Sequence, residues 1–222
     1  MSKTTLGSDF TVYLTSLPDK KRLLNLGKAF SVKDRAGAFT RDSLYFLMIT
    51  PDGNAVEARH VPDGAVVASL SHPSKVQQIV LTKDSSAAIT VAGASAYLWS
   101  IPTGRPISVL RHEHDVRSAI FSADEAFLAT LSEDKVLRVW NWREATELAS
   151  IVPDSEPEDA RFSPDGRYIE MTFSGDRSGR WAWKPDDLIA EVCSRLPHNM
   201  TRGEWRKYFG TKPYQKTCAS LP

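Results

Sequence analysis

The chain has 222 residues, 41% hydrophobic and 25% charged, the make-up of an ordinary globular chain with ample material for a core. Lys plus Arg number 28 against 27 for Asp plus Glu, so a net charge of +1 gives no overall field to draw the protein onto a polyanion. The start, MSKTTLGSDF, has no apolar stretch behind its first lysine, and no uninterrupted apolar run approaches the roughly 18 residues of a membrane span, so a cytoplasmic protein with no membrane partner is expected.

The first elements in chain order are two strands, at Tyr13-Leu14-Thr15-Ser16-Leu17-Pro18 and at Leu23 to Leu26. The first of them aligns with Tyr97-Leu98-Trp99-Ser100-Ile101-Pro102 further on, so the pair reads as the last two strands of a unit that has nothing of its own before them. A repeat then begins. A Phe/Leu-Ser/Thr-x-Asp signal recurs with its aspartates at Asp42, Asp84, Asp124 and Asp165, spaced by 42, 40 and 41 residues. A second series runs in phase with it: Arg59, Trp99, Trp140 and Trp183. Between the markers lie short runs of strand formers bounded by turn residues. In the third unit, Val136, Arg138 and Trp140 alternate with Leu137 and Val139, as on a strand with two different faces. Pro62-Asp63-Gly64 and Pro102-Thr103-Gly104 mark turns into fourth strands. Four antiparallel strands in about forty residues is the signature of a propeller blade.

With these residues in view, the chain resembles the WD-repeat family, and its best match runs from about residue 112 to 151. The resemblance implies a structural hydrogen-bond set of His112, Thr130, Asp134 and Trp140, in which a His-Asp pair, extended through the hydroxyl and the indole N–H, satisfies the polar groups of buried turns. The second unit keeps His72 and Trp99 but has Gly93 in place of the aspartate, and the fourth keeps Asp176 and Trp183 without a histidine. The fold expected is therefore all-β, a partial WD-type β-propeller of about four blades of four antiparallel strands with a short two-helix C-terminal tail. The division expected is residues 1–184 for the blades and the neighbouring N-terminal strands, and 185–222 for a tail packed on the propeller. Because the repeat begins and ends in mid-blade, the rest of a longer propeller, or a second copy as a homodimer, is expected to complete the ring and cover its open edges.

From Asp186 the period changes from two to 3.6, with Leu188, Ile189, Val192 and Leu196 on one stripe as far as Pro197. Thr201-x-x-Glu204 is a capping box opening a second helix with Trp205, Tyr208 and Phe209 on one side, and this aromatic stripe is expected to cover an end of the propeller. The tail resembles the closing segment of prokaryotic multidomain WD-repeat proteins, in which the propeller follows a signalling ATPase, a caspase-like protease, a TIR domain or a kinase. Cys193, Asn199, Thr201, Glu204, Trp205, Tyr214, Thr217 and Cys218 carry that likeness in order and spacing. Two buried thiols close in space is the simpler reading of Cys193 and Cys218, and a disulfide closing the tail is the sharper one.

No phosphate-binding loop, nucleophile elbow or His-Glu-x-x-His helix occurs, so no catalytic residue, cofactor or metal site is assigned; His112-x-His114 lacks the further ligands a metal would need. The function expected is a non-catalytic interaction or sensor module of a bacterial signalling or defence protein. It would bind a protein, peptide or other trigger through loops on one rim, where His114, Arg117, Glu133, Ser74 and Gln77 are the candidate contacts. The alternative is nucleic-acid binding through Lys20, Lys21 and Arg22, or through the tail's Arg202, Arg206, Lys207, Lys212 and Lys216 with Trp205 stacking, against which the near-zero net charge argues.

Overall fold

A computed structural model describes residues 10–15, 22–29 and 37–221. The expected strand at the start is β1 (Phe10–Thr15), paired antiparallel with β2 (Arg22–Ala29). Positions 16–21, including Lys20 and Lys21, lie outside the described residues, as does the side chain of Arg22.

Four antiparallel sheets follow. The first contains β3 (Gly37–Phe39), β4 (Tyr45–Ile49), β5 (Ala55–His60) and β6 (Val66–Ser71). The second contains β7 (Val76–Leu81), β8 (Ala87–Ala92), β9 (Ser95–Ser100) and β10 (Pro106–Arg111). The third contains β11 (Val116–Phe121), β12 (Leu128–Ser132), β13 (Leu137–Asn141) and β14 (Thr146–Ile151), and the last has three strands, β15 (Pro157–Phe162), β16 (Tyr168–Phe173) and β17 (Arg177–Ala182). Strands are bonded in chain order within each sheet, and β3, β7, β11 and β15 lie side by side, so the sheets are arranged as successive blades of a partial propeller.

The repeating Ser/Thr-x-Asp signal is the turn between the first two strands of each blade. Ser122 Oγ donates to Asp124 Oδ1 at 2.6 Å and accepts from Phe127 N at 3.0 Å, so one hydroxyl satisfies both sides of the turn. Thr40 with Asp42 and Ser163 with Asp165 repeat this bond at 2.6 and 2.5 Å. In the second blade the bond from Thr82 leads the interactions that hold the Asp84 carboxyl down at about 2. The residue closing each turn is left-handed, Ser43, Ser85 and Glu125 at φ 60°, 61° and 55° and Gly166 at 67°, so only the fourth blade uses the residue type without a Cβ cost.

Blades join through small apolar squares made of two cross-strand pairs. Leu47 opposite Ala58 and Ile49 opposite Val56 pack on the second blade. Ile89 opposite Leu98 and Val91 opposite Ala96 pack on the third, and Ala129 opposite Val139 and Leu131 opposite Leu137 on the fourth. None of these twelve side chains is more than 3% exposed, so the interblade contacts are the core.

The tail forms α1 (Pro185–Arg195) and α2 (Arg202–Phe209), as the change of period predicts. Arg167 Nε meets Asp187 Oδ1 at 2.9 Å, tying α1 to the fourth blade. The stripe of Leu188, Ile189, Val192 and Leu196 is nevertheless 42–49% exposed, and neither helix has a buried residue. The aromatic stripe of α2 does not cover a blade end with Tyr208, which is 67% exposed; Trp205 packs inside the tail, with ring centroids 4.3 Å from Phe209 and 5.6 Å from Tyr214. Cys193 and Cys218 are joined as a disulfide across 25 residues, which overturns the reading as two thiols.

The candidate interaction rim

The hydrogen-bond set of the third blade is built around Thr130 on β12, 1% exposed. Trp140 Nε1, on β13, donates to Thr130 Oγ1 at 2.8 Å, and His112 Nε2, in the loop before β11, lies 2.8 Å from the same oxygen. The indole can only donate, so it takes one lone pair of the hydroxyl, and the bond between that oxygen and His112 Nε2 runs in the direction the ring's tautomer sets. Asp134 does not join this chain as expected. Its carboxylate accepts from Ser132 Oγ at 2.6 Å, Val136 N at 3.0 Å and Arg138 Nη2 at 3.0 Å, while His112 Nδ1 has no hydrogen-bond partner. Arg138, on the neighbouring strand, outcompetes a neutral ring for a carboxylate because its bond is charge-assisted.

The second blade repeats the set with a hydroxyl the sequence reading passed over: Thr90 Oγ1 accepts from Trp99 Nε1 at 2.9 Å and lies 2.5 Å from His72 Nε2. Its signal was a threonine eight residues after Thr82, at the spacing of Thr130 after Ser122. Gly93 forms the tight turn there with φ 54°, where a side chain is strained, and a Cβ on it would stand 2.6 Å from Ser74 Oγ, which would have to turn away. In the fourth blade the register corrects the tryptophan series. Trp181 lies opposite Ile169 as Trp140 lies opposite Leu128, and Met171, in the place of Thr130, offers no hydroxyl. Trp183 instead matches Trp142: their indoles donate to the carbonyls of Gly166 and Glu125, at 3.2 and 2.9 Å, the two left-handed turn residues.

The braced loops share one edge with the candidate contacts. Glu133 N donates to the Asp115 carbonyl at 2.8 Å, and Asp115 Oδ1 approaches the turn at Gly93, where half-buried Ser74 also lies. His114 and Glu133 are exposed, and His114 Nδ1 is 3.9 Å from Asp134 Oδ2. Arg117 Nη1 bonds Glu156 Oε1 at 2.8 Å, with Lys135 Nζ 3.8 Å from the other oxygen. Gln77 is half-buried on β7; its neighbour Gln78 crosses to the third blade, donating to the Ala119 carbonyl and accepting from Ala119 N. An open groove of about 570 Å³ lined by Arg111, Glu113, Arg138, Glu147 and Val152 among others adjoins this edge.

The tail residues form a second, self-contained cluster. Asn199 Nδ2 donates to the carbonyls of Cys218 and Leu221, and its Oδ1 accepts from Cys218 N at 2.9 Å. Thr201 and Glu204 complete the capping box. Trp205 Nε1 donates to the Lys212 carbonyl at 3.0 Å, and Tyr214 OH to that of Met200 at 2.9 Å. Arg202, Arg206 and Lys212 surround a shallow cleft with Trp205 and Tyr214, whereas Lys207 and Lys216 do not line it. Among the described residues no group of three or more His, Cys, Asp or Glu is placed to hold a metal ion, and no helix is long and apolar enough to cross a membrane.

Burial first, then the charge of Arg138, push His112 down to about 4, with Asp134 pulling the other way, and burial lowers His72 as well. A ring harder to protonate folded than unfolded contributes stability that is whole above its ordinary value of 6.5 and is lost as pH falls toward 4. Asp134 acts in a lower window: burial opposes its ionisation, but the bonds from Arg138, Ser132 and Val136 N outweigh this and bring it to about 2. The urea midpoint is therefore expected to fall between pH 7 and 5, and the double variant His72→Gln/His112→Gln to flatten that slope. An unaltered slope would show that neither ring is held neutral.

These blades, with hydroxyl-centred His-Thr-Trp chains joining strand to loop, define a repeat β-propeller protein. Residues 104–141 match the family described as WD domain, G-beta repeat. The chain is 30% identical over 144 residues to the periodic tryptophan protein 2 homolog of Mus musculus, covering 61% of this chain and 15% of that protein. It is 49% identical over 47 residues to a coronin-like protein of Saccharomyces cerevisiae, covering 21% and 7%. It is also 30% identical over 109 residues to the serine-threonine kinase receptor-associated protein of Mus musculus, covering 49% and 29%. The match thus spans less than a third of the length of each of these relatives. Among solved structures, the computationally designed Ika8 protein superposes with a TM-score of 0.64 at 18% identity, over 78% of this chain and 52% of that one, a likeness of fold.

Proposed function

We propose that this chain is a non-catalytic binding module that holds a protein or peptide partner on the edge carrying Ser74, Gln77, His114, Arg117 and Glu133. The observation that carries this reading is that the second and third blades brace this edge internally, through Thr90 and Thr130, while leaving charged and polar side chains exposed on it. A rigid rim recognises without paying to order its loops. The likeness to WD-repeat relatives supports a scaffold, and the tail motif supports a place as the sensor arm of a prokaryotic multidomain signalling or defence protein in the cytoplasm.

The test is affinity capture from the source organism by the wild-type chain and by Arg117→Glu/Glu133→Lys, with and without nuclease. Reversing two rim charges is expected to lower recovery of the specific partner about tenfold with little change in melting temperature, since the exposed Arg117–Glu156 pair contributes little to stability. Equal recovery by both chains would sink the rim assignment. Recovery abolished by nuclease would favour the second reading, nucleic acid held by Arg202, Arg206 and Lys212 beside Trp205, which the cleft in the tail supports.

A further inference from the structure

The square of residues at the joint between blades can be located on all four sheets, because its first members, Leu47, Ile89, Ala129 and Glu170, each lie seven residues after the Ser or Thr of the blade's first turn. Its members are apolar and buried on the first three blades. On the fourth the corresponding pairs are Glu170 opposite Arg180 and Thr172 opposite Ser178. The neighbouring position on the first strand is Val80 opposite Ile89, Ile120 opposite Ala129, and then Arg161 opposite Glu170. Every apolar position of the joint has become polar. The charges are matched within the face: Glu170 meets Arg161 at 2.9 Å and Arg180 at 3.8 Å, while Thr172, Ser178 and Arg180 are exposed.

We infer that this face of the fourth blade is a cap, a finished polar surface on which neither a further blade nor a second copy of the chain stacks. Seating an apolar blade here would strip water from Glu170, Arg161 and Arg180, and burying charges whose partners are only partly satisfied costs more than the apolar area returns. Stacked repeats need a polar outer face where the stack stops, and substitution at each joint position, with alternation otherwise kept, provides one. If the ring is completed by other chain segments, they attach elsewhere than on this face.

The test is thiol labelling of the native chain, its disulfide left intact, with single cysteines at matched joint positions. Thr172→Cys and Ser178→Cys are expected to react within about threefold of a cysteine at exposed Ser174, whereas Ala129→Cys, the buried counterpart of Glu170, should react at least about a hundredfold more slowly. Ala129→Cys adds a sulfur at a packed position, so its slow reaction is read together with a melting temperature that shows the variant folded. Protection of Thr172→Cys and Ser178→Cys to the level of Ala129→Cys, at any protein concentration, would overturn the cap and show the face covered. A companion chain with Glu170→Ala, Thr172→Leu, Ser178→Leu and Arg180→Val copies the third blade's joint. It should gain mass by light scattering at concentrations where the wild type does not; an unchanged mass would count against the cap.

Discussion

Thr130→Val is expected to destabilise the protein by about 2–4 kcal/mol, and Thr130→Ser by less than about 1. Valine keeps the shape and branching of threonine, so packing against the neighbouring blade survives and the loss is polar. One oxygen currently serves two partners, accepting from buried Trp140 Nε1 and sharing a hydrogen bond with Nε2 of half-buried His112, each at 2.8 Å. Removing it orphans both, and His112 then has no bond at either ring nitrogen, since Nδ1 already lacks one. Leaving a buried donor or acceptor unpaired costs about 1–3 kcal/mol each, more than a bond contributes when both partners are removed together. Serine retains the hydroxyl and gives up a methyl group. Urea unfolding of the two variants decides the matter: a Thr130→Val midpoint no lower than that of Thr130→Ser would mean that packing, and not the hydroxyl, is what matters at this position. Thr90→Val should behave likewise in the second blade, where Trp99 and His72 converge on one oxygen.

The blades were legible in the sequence because their turns need particular atoms. A hydroxyl that donates to an aspartate two residues on and accepts an amide five residues on leaves Ser or Thr before x-Asp four times over, as at Ser122 and Asp124. The tryptophan series was less secure, because Trp181 and Trp183 lie two residues apart at the end of the last blade and pack into the same apolar cluster, while the hairpin at Gly175 and Asp176 keeps the length of the third blade's. Only the register separates them. Asp134 was readable as a turn residue, but its choice of Arg138 over His112 is a contest between two side chains that spacing along the chain does not rank. In the tail, helix period and capping box were plain, while the exposure of the Leu188 stripe was not. An apolar stripe tells which face seeks cover, not whether a neighbour supplies it.

Breaking the Cys193–Cys218 bond, by reduction or by Cys193→Ser/Cys218→Ser, is expected to release the tail while leaving the melting temperature of the blades within about 2 °C. Helices of 11 and 8 residues are too short to persist in water by themselves, and neither buries a residue that would anchor it. What holds them is local: the Asn199 bonds to Cys218 and Leu221, the capping box, the ring contacts of Trp205, and a covalent loop. Closing a loop with a separation of 25 residues contributes about 3 kcal/mol by restricting the unfolded tail. Against a unit this small, losing it outweighs the rest. The blades draw their stability from the interblade squares, and the ion pair from Arg167 to Asp187 is partly exposed and adds little. Trypsin should then cut at Arg195, Arg202 and Arg206 at least about tenfold faster in the reduced protein, with amide exchange in the strands unchanged. Strand amides that lose protection together with the tail would show that the two form one cooperative unit, and that the exposed stripe of α1 understates how tightly the tail is held.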